Sequence, residues 1–241
     1  MIITPNCQLF LDFQNNVVDK GHGGLTWTDV GSPSFTDGVI GRAIGPVSGT
    51  NHIRTAATTN PFNINTEFTV AIWFQIPATG TNKAFLDIGA INDISINNGN
   101  RGLDLWYVNS LDYLAVRVDN NTQGFGQNPS NQRGRYSTFY APRKNTPVFF
   151  AATRTPTDCY FYMWDSTDGW QIEHLSYTAI NSSFLWSFRM NRIGALGVST
   201  NDNSLNVTGE IDWISKPVVL NKVLNFSDIK RVRHGMHPLN G

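Results

Sequence analysis

Apolar residues in this chain recur at every second position rather than at every third or fourth. In Phe68-Thr69-Val70-Ala71-Ile72-Trp73-Phe74-Gln75-Ile76, one side carries Phe68, Val70, Ile72, Phe74 and Ile76, as in a strand laid on a core, while Trp73 turns the other way. Tyr113-Leu114-Ala115-Val116-Arg117-Val118 repeats the device, with Leu114, Val116 and Val118 inward and Tyr113 and Arg117 outward. Cys159 to Trp164 alternates with two usable faces: Tyr160, Tyr162 and Trp164 on one, Cys159, Phe161 and Met163 on the other. Strands with two good faces predict a two-layer antiparallel β-sandwich. Turn-forming clusters, Asn97-Asn98-Gly99-Asn100, Asp119-Asn120-Asn121 and Ser166-Thr167-Asp168-Gly169, separate them. The pattern predicts one short C-terminal helix, Ser227 to His234. Ser227 is its expected cap, Asp228 suits its positive end, basic residues suit its negative end and Gly235 stops it.

The length of 241 residues suits one large all-β unit, since such sandwiches run to about 200–250 residues. No low-complexity linker or internal repeat divides the chain, so residues 1–241 read as a single domain. Charged residues make up 15% and cancel to a net charge of +0, which argues against nucleic acid or an anionic membrane surface as partner. Asn, Thr, Ser and Gln supply the polar surface instead, as expected of an extracellular or virion-exposed β protein. The two cysteines, Cys7 and Cys159, are too few for a disulfide scaffold and read as buried free thiols. Met1 to Asn6 has neither the basic region nor the apolar run of a signal peptide, and no stretch of about 18 apolar residues occurs. A soluble chain without membrane insertion and with no visible export address is the expectation.

The order of the segments resembles the laminin-G-like, concanavalin A-like jelly-roll family over nearly the whole chain. Leu11-Asp12-Phe13 with Val18-Asp19, then Phe35 to Ile44, is similar to that family's first strands and Gly-rich turn. Phe68 to Phe74 is similar to its central core strand, Phe85-Leu86-Asp87-Ile88-Gly89 to the next, and Pro147 to Arg154 to the strand before a hairpin. Arg192-Ile193-Gly194 and Gly209-Glu210-Ile211-Asp212 resemble its closing strands, and Leu224 to Ile229 its short final helix. The resemblance implies a jelly roll, a fold that carries lectins, adhesion modules, virion proteins and glycosidases alike.

Glu210 and Asp212 are the sharpest chemical candidates. A retaining glucanase of this superfamily places three acids at alternate positions of one strand, with nucleophile and general acid about 5–5.5 Å apart. Here the two acids are spaced to point inward from one strand, but Ser215, Lys216 and Pro217 stand where the third belongs. Without a proton donor for the leaving sugar, the mechanism is incomplete. The resemblance gives this stretch a structural role, tying the last strand to neighbouring loops, and no catalytic residue is expected.

The family's rim Ca²⁺ would find candidate donors in Asp93, Asn97, Asn98 and Asp104, residues that are also ordinary turn chemistry. Otherwise no cofactor is expected. His234 and His237 have helical spacing for zinc, but Gly235 and Pro238 break the helix. There is no Gly-x-Ser-x-Gly elbow, and Gly21-His22-Gly23-Gly24 reads as a turn rather than a phosphate loop.

The segment Asp119 to Asn145 reads as a long loop mixing aromatics, amides and arginines, with Phe125, Arg133, Arg135, Tyr136 and Tyr140 as a binding loop. An extended arm pinned over the sheet is the alternative. Trp106, Trp164, Trp170 and Trp186 are candidate sugar platforms, with core packing expected for most.

Three functions remain. The first is a non-enzymatic structural or binding protein of a virus particle, such as a bacteriophage capsid decoration or a tail-associated adhesion module. It would be assembled in the host cytoplasm and would bind virion proteins or a surface glycan; otherwise the chain is secreted or at the cell surface by a route the sequence does not show. The second is a lectin-like carbohydrate-binding module, and the third, less favoured, is a glucanase-type glycoside hydrolase. A homo-oligomer is compatible with any of them.

Overall fold

The computed structural model describes residues 5–14, 16–56, 62, 64, 67–78, 83–88, 101–108, 113–120, 135–140, 142–176, 191–198, 201–207 and 209–235. Along them run β1 (Cys7–Phe13), β2 (Val17–Asp19), β3 (Trp27–Val30), β4 (Phe35–Asp37), β5 (Arg42–Ile44), β6 (His52–Thr55), β7 (Phe68–Gln75), β8 (Lys83–Ile88) and β9 (Arg101–Val108). Then come β10 (Tyr113–Asn120), β11 (Arg135–Tyr140), β12 (Val148–Arg154), β13 (Asp158–Asp165), β14 (Gly169–Ser176), β15 (Asn191–Ile193), β16 (Leu196–Val198), β17 (Asn201–Val207), β18 (Trp213–Leu220) and the helix α1 (Phe226–Arg233).

The first sheet runs β14-β13-β12-β7-β18-β1-β2, with β5 beside the start of β18 and β4 beside β5. The second runs β11-β10-β9-β8-β15-β6-β3, and β16 with β17 forms a separate hairpin. The sheets are antiparallel, as a sandwich of alternating strands requires. Val70, Ile72, Phe74, Phe150, Phe161 and Met163 of the first sheet are buried in one cluster with Ile53, Phe85, Leu86, Leu105, Leu114 and Ile193 of the second. Phe74 and Phe85 join the layers, with ring centroids 4.2 Å apart. The expected all-β sandwich with one short C-terminal helix is therefore the fold. Cys7 and Cys159 are both buried, and neither is in a disulfide among the described residues.

A second apolar cluster covers the outer face of the first sheet. Trp73, Phe149, Tyr162, Trp213 and Val218 meet Leu224, Ile229 and Val232 of the C-terminal segment. Ile229 and Val232, three residues apart, share one face of α1 and are its buried residues. The helix starts two residues earlier than a Ser227 cap would place it. Asn225 lies in extended backbone, and its side chain accepts a hydrogen bond from the Asp228 amide at 3.0 Å, which makes it the cap. Gly235, with φ of 71°, follows the end of the helix.

Two other expectations change. Asp119 and Asn120 are not a turn: they extend β10 and pair with Gly102 and Arg101. The segment after them is not loop throughout, because Arg135–Tyr140 forms β11 at the edge of the second sheet. Its Tyr136, Thr138 and Tyr140 stand at alternate positions, a period-two signal inside a stretch rich in turn formers.

In β18, Ser215 pairs with Trp73 but Val218 with Ala71, so three steps on one strand answer two on its neighbour. This bulge accommodates Pro217, which lacks a ladder donor, in the middle of a sheet. It falls where the strand exchanges β5 for β1 as its other neighbour. Lys216, with φ of 48°, reaches across to Asp12 at 2.6 Å. Lys20 and Gln14 also donate to that buried carboxylate. Burial pushes the Asp12 carboxyl up, but hydrogen bonds from Lys20 and Lys216 outweigh it and hold it at about 2.

Candidate functional site

Gly209 to Asp212 comes to rest against the segment before β6. The backbones of Val47 and Ile211 exchange two hydrogen bonds, at 2.9 and 3.0 Å. A Cβ on Gly45 would lie 2.1 Å from the Asp212 carbonyl oxygen, so only glycine permits this approach. Ile211 is fully buried in the interlayer core. Glu210 is exposed and Asp212 half-buried, so the two acids turn away from the core rather than inward. The alternation expected of this stretch is real, but Ile211 takes the core position and the carboxylates are left on the other side. The Asp212 amide donates to the Gln75 carbonyl at 3.1 Å, and Gln75 Nε2 donates to Asp212 Oδ2, also at 3.1 Å.

Lys83 begins β8 opposite Tyr107, and both are buried, Lys83 to 2% exposure. Directly paired residues share a face, so Lys83 stands on the core side at that end of β8. Its Nζ is buried and has no hydrogen-bond partner among the described residues. Burial pushes its pKa down, the charges of Asp212 and Glu210 push it back up and Lys144 opposes them. Register puts Tyr113 and Tyr140, which pair with one another, at the same end. One rim thus gathers Gln75, Lys83, Glu210, Asp212 and the ends of β9, β10 and β11.

Arg135 and Tyr136, paired with Val116 and Ala115, begin β11 away from this end. Phe125 and Arg133 lie outside the described residues, as do Asp93, Asn97 and Asn98. Asp104 sits within β9, in register with Asp87 on one side and Arg117 on the other. Among the described residues no three His, Cys, Asp or Glu side chains converge as a metal site.

The tryptophans of the outer face are committed to packing. Arg233 lies over the Trp164 ring at 4.0 Å, and Trp170 meets Phe149 and Phe226 edge to face, at 6.0 and 5.1 Å. These contacts occupy ring surfaces that a sugar would need. Trp106 is half-buried, and Trp186 lies outside the described residues.

Sequence reading missed a Ser-His-Asp trio at the other end of the first sheet, since Asp158 and Ser176 meet only through the β13-β14 pairing. His174 Nε2 lies 2.7 Å from Asp158 Oδ1, and Ser176 Oγ donates to the same oxygen at 2.8 Å. Ser176 approaches the same ring nitrogen, at 3.3 Å. A relay needs serine and aspartate on opposite nitrogens of the ring, so this trio is no catalytic triad. Hydrogen bonds from Thr157, His174 and Ser176 hold the Asp158 carboxyl at about 2.

No family model matches the chain, and no curated protein matches it in sequence. Solved structures do. The binding domain of botulinum neurotoxin DC, in complex with rat synaptotagmin II, superposes with a TM-score of 0.65 at 12% identity, covering 97% of this chain and 52% of that one. The binding domain of botulinum neurotoxin serotype G gives 0.64 at 11% identity, covering 94% and 50%. This chain therefore spans about half the length of those toxin domains. Domain 4 of an extracellular arabinanase from Geobacillus stearothermophilus, in complex with arabinotriose, gives 0.55 at 15% identity, covering 94% of this chain and 98% of that one. At such identities the likeness shows a shared fold: the chain is built as these β-sandwich binding domains are.

Proposed function

We propose that this chain is a non-enzymatic binding module that recognises a glycan through the rim carrying Gln75, Lys83, Glu210, Asp212 and Tyr140. The observation that carries this reading is the outward turn of Glu210 and Asp212 on either side of the buried Ile211. Carboxylates held at an open rim accept hydrogen bonds from sugar hydroxyls. No third acid follows them in β18 to donate a proton, so hydrolysis has no complete machinery. The arabinanase domain, which resembles this chain over nearly its own whole length and holds arabinotriose, supports the ligand class. The toxin domain in complex with synaptotagmin II favours a protein surface as the second reading.

An array of immobilised glycans tests the proposal. Saturable binding is expected, and Glu210→Gln with Asp212→Asn weakens it by about tenfold or more, as loss of hydrogen bonds to charged groups does. Absence of saturable binding to any glycan would leave the protein-surface reading. Turnover of a glucan that Glu210→Gln abolishes would make the chain an enzyme. The reading needs no metal, so EDTA leaves binding unchanged. Binding lost in EDTA and restored by Ca²⁺ would bring the Asp93, Asn98 and Asp104 segment into the site.

Membership of the laminin-G-like, concanavalin A-like family belongs to the same proposal, as does a role on a virus particle as capsid decoration or tail-associated adhesion module. The virion role is supported by the neutral, amide-rich composition. Co-sedimentation of the chain with purified particles tests it.

A further inference from the structure

Lys83 is costly where it stands. Its ammonium is buried, carries three donors and makes neither a hydrogen bond nor an ion pair among the described residues. An uncompensated buried charge destabilises a fold, and replacing it with an apolar side chain of similar volume commonly stabilises. A structural counter-ion would sit in ion-pair contact with Asp212 or Glu210. Instead, Asp212 Oδ2 is taken by Gln75 and Glu210 faces solvent. The three groups are nonetheless near enough for both carboxylate charges to act on the lysine. Unsatisfied donors below and open acceptors above make two halves of one hydrogen-bonding site, and the lysine's flexible four-carbon stem lets the ammonium move between them.

We propose that Lys83 is the ligand-anchoring cation of this rim and that its ligand is a neutral glycan presenting a vicinal diol. The diol oxygens accept from the ammonium, and the hydroxyls donate to Glu210 and Asp212. The inference rests on the glycan-binding reading and narrows it. A uronic-acid sugar would set a third carboxylate beside two others, whereas a neutral diol satisfies donor and acceptors together.

The test compares the wild type with Lys83→Met on an array of neutral oligosaccharides that includes arabinotriose, beside an array of uronic-acid oligosaccharides. The wild type is expected to bind neutral members and not acidic ones. Lys83→Met is expected to melt a few degrees higher and to bind about ten- to a hundredfold more weakly, the worth of a charge-assisted hydrogen bond. Equal binding by the variant, or preference for acidic glycans, overturns the inference while leaving a glycan module standing; no glycan binding at all overturns both. A lower melting temperature would show Lys83 to be a pillar of the fold and would also overturn it. Should Lys83→Met fail to fold, Lys83→Arg assigns the Lys83 side-chain NMR signal of the wild type. That signal shifts on titration with the bound neutral oligosaccharide, and an unmoved signal counts against the proposal.

Discussion

Trp73→Ala is expected to lower the unfolding free energy by about 3–5 kcal/mol, the usual cost of emptying a large aromatic site in a core. Trp73 is buried on the outer face of β7, with Phe149 at 5.5 Å and Trp164 at 5.8 Å between ring centroids. Its Nε1 also donates to the Arg233 carbonyl in the last turn of α1 at 2.9 Å. The guanidinium of that same arginine covers Trp164. One side chain therefore fixes both the packing of the outer face and the position of the helix. Removing it opens a cavity under α1 and leaves a helix-terminal carbonyl without its donor. Trp73→Phe keeps much of the volume and loses the hydrogen bond, at about 1 kcal/mol for the bond itself. Urea denaturation measures both values, and hydrogen exchange locates them. If the amides of α1 in Trp73→Ala stay as protected as in the wild type, the helix is held by something else.

The second large effect is a loss of stability on mild acidification, centred on His52. This ring is buried in β6, and among the described residues neither nitrogen makes a hydrogen bond of normal geometry, although the backbones of Ser48 and Gly49 lie close. Burial, then the positive charges of Arg192 and Arg54, press its pKa from 6.5 to about 4. Above pH 6.5 the ring is neutral in both folded and unfolded chains, and stability is at its full value. Between 6.5 and about 4 only the unfolded chain takes up the proton, so stability falls as pH falls. Integrated over that window the loss is roughly 3 kcal/mol. Below it the difference is complete, and Asp12 takes over: its carboxyl, held at about 2, gives up its contribution between roughly pH 4 and 2. Denaturation at pH 7, 5.5 and 4 should show the wild type losing ground to His52→Met, which cannot titrate. Parallel pH profiles would mean that His52 takes up its proton at the same pH in the folded and unfolded chains.

Much of the architecture was legible because strand faces are a local property. Phe68, Val70, Ile72, Phe74 and Ile76 enter the interlayer core and Trp73 leaves it, as their spacing demands. Cys159, Phe161 and Met163 separate from Tyr160, Tyr162 and Trp164 in the same way. The rim was half legible. Spacing placed Glu210 and Asp212 on one side of their strand, but the side depended on whether Ile211 or the acids met the second sheet. Lys83 carried no signal, since one lysine before an apolar run reads as a solvated strand end. The tryptophans looked like platforms because nothing near them in sequence shows that α1 will lie across them.

The sequence by itself determined the faces of strands such as β7 and β13, the C-terminal helix and its glycine stop, because alternation and a glycine stop are written within a few residues; β11 and the Asn225 cap were not read from it. Tertiary structure decided which carboxylates face out, which lysine is buried, which histidine is kept neutral and which rings are covered. Those outcomes rest on pairs such as Gln75 with Asp212, 137 residues apart, and Trp73 with Arg233, 160 apart. Burial and charge environment are set by neighbours in space, and only the closed sandwich brings those neighbours together.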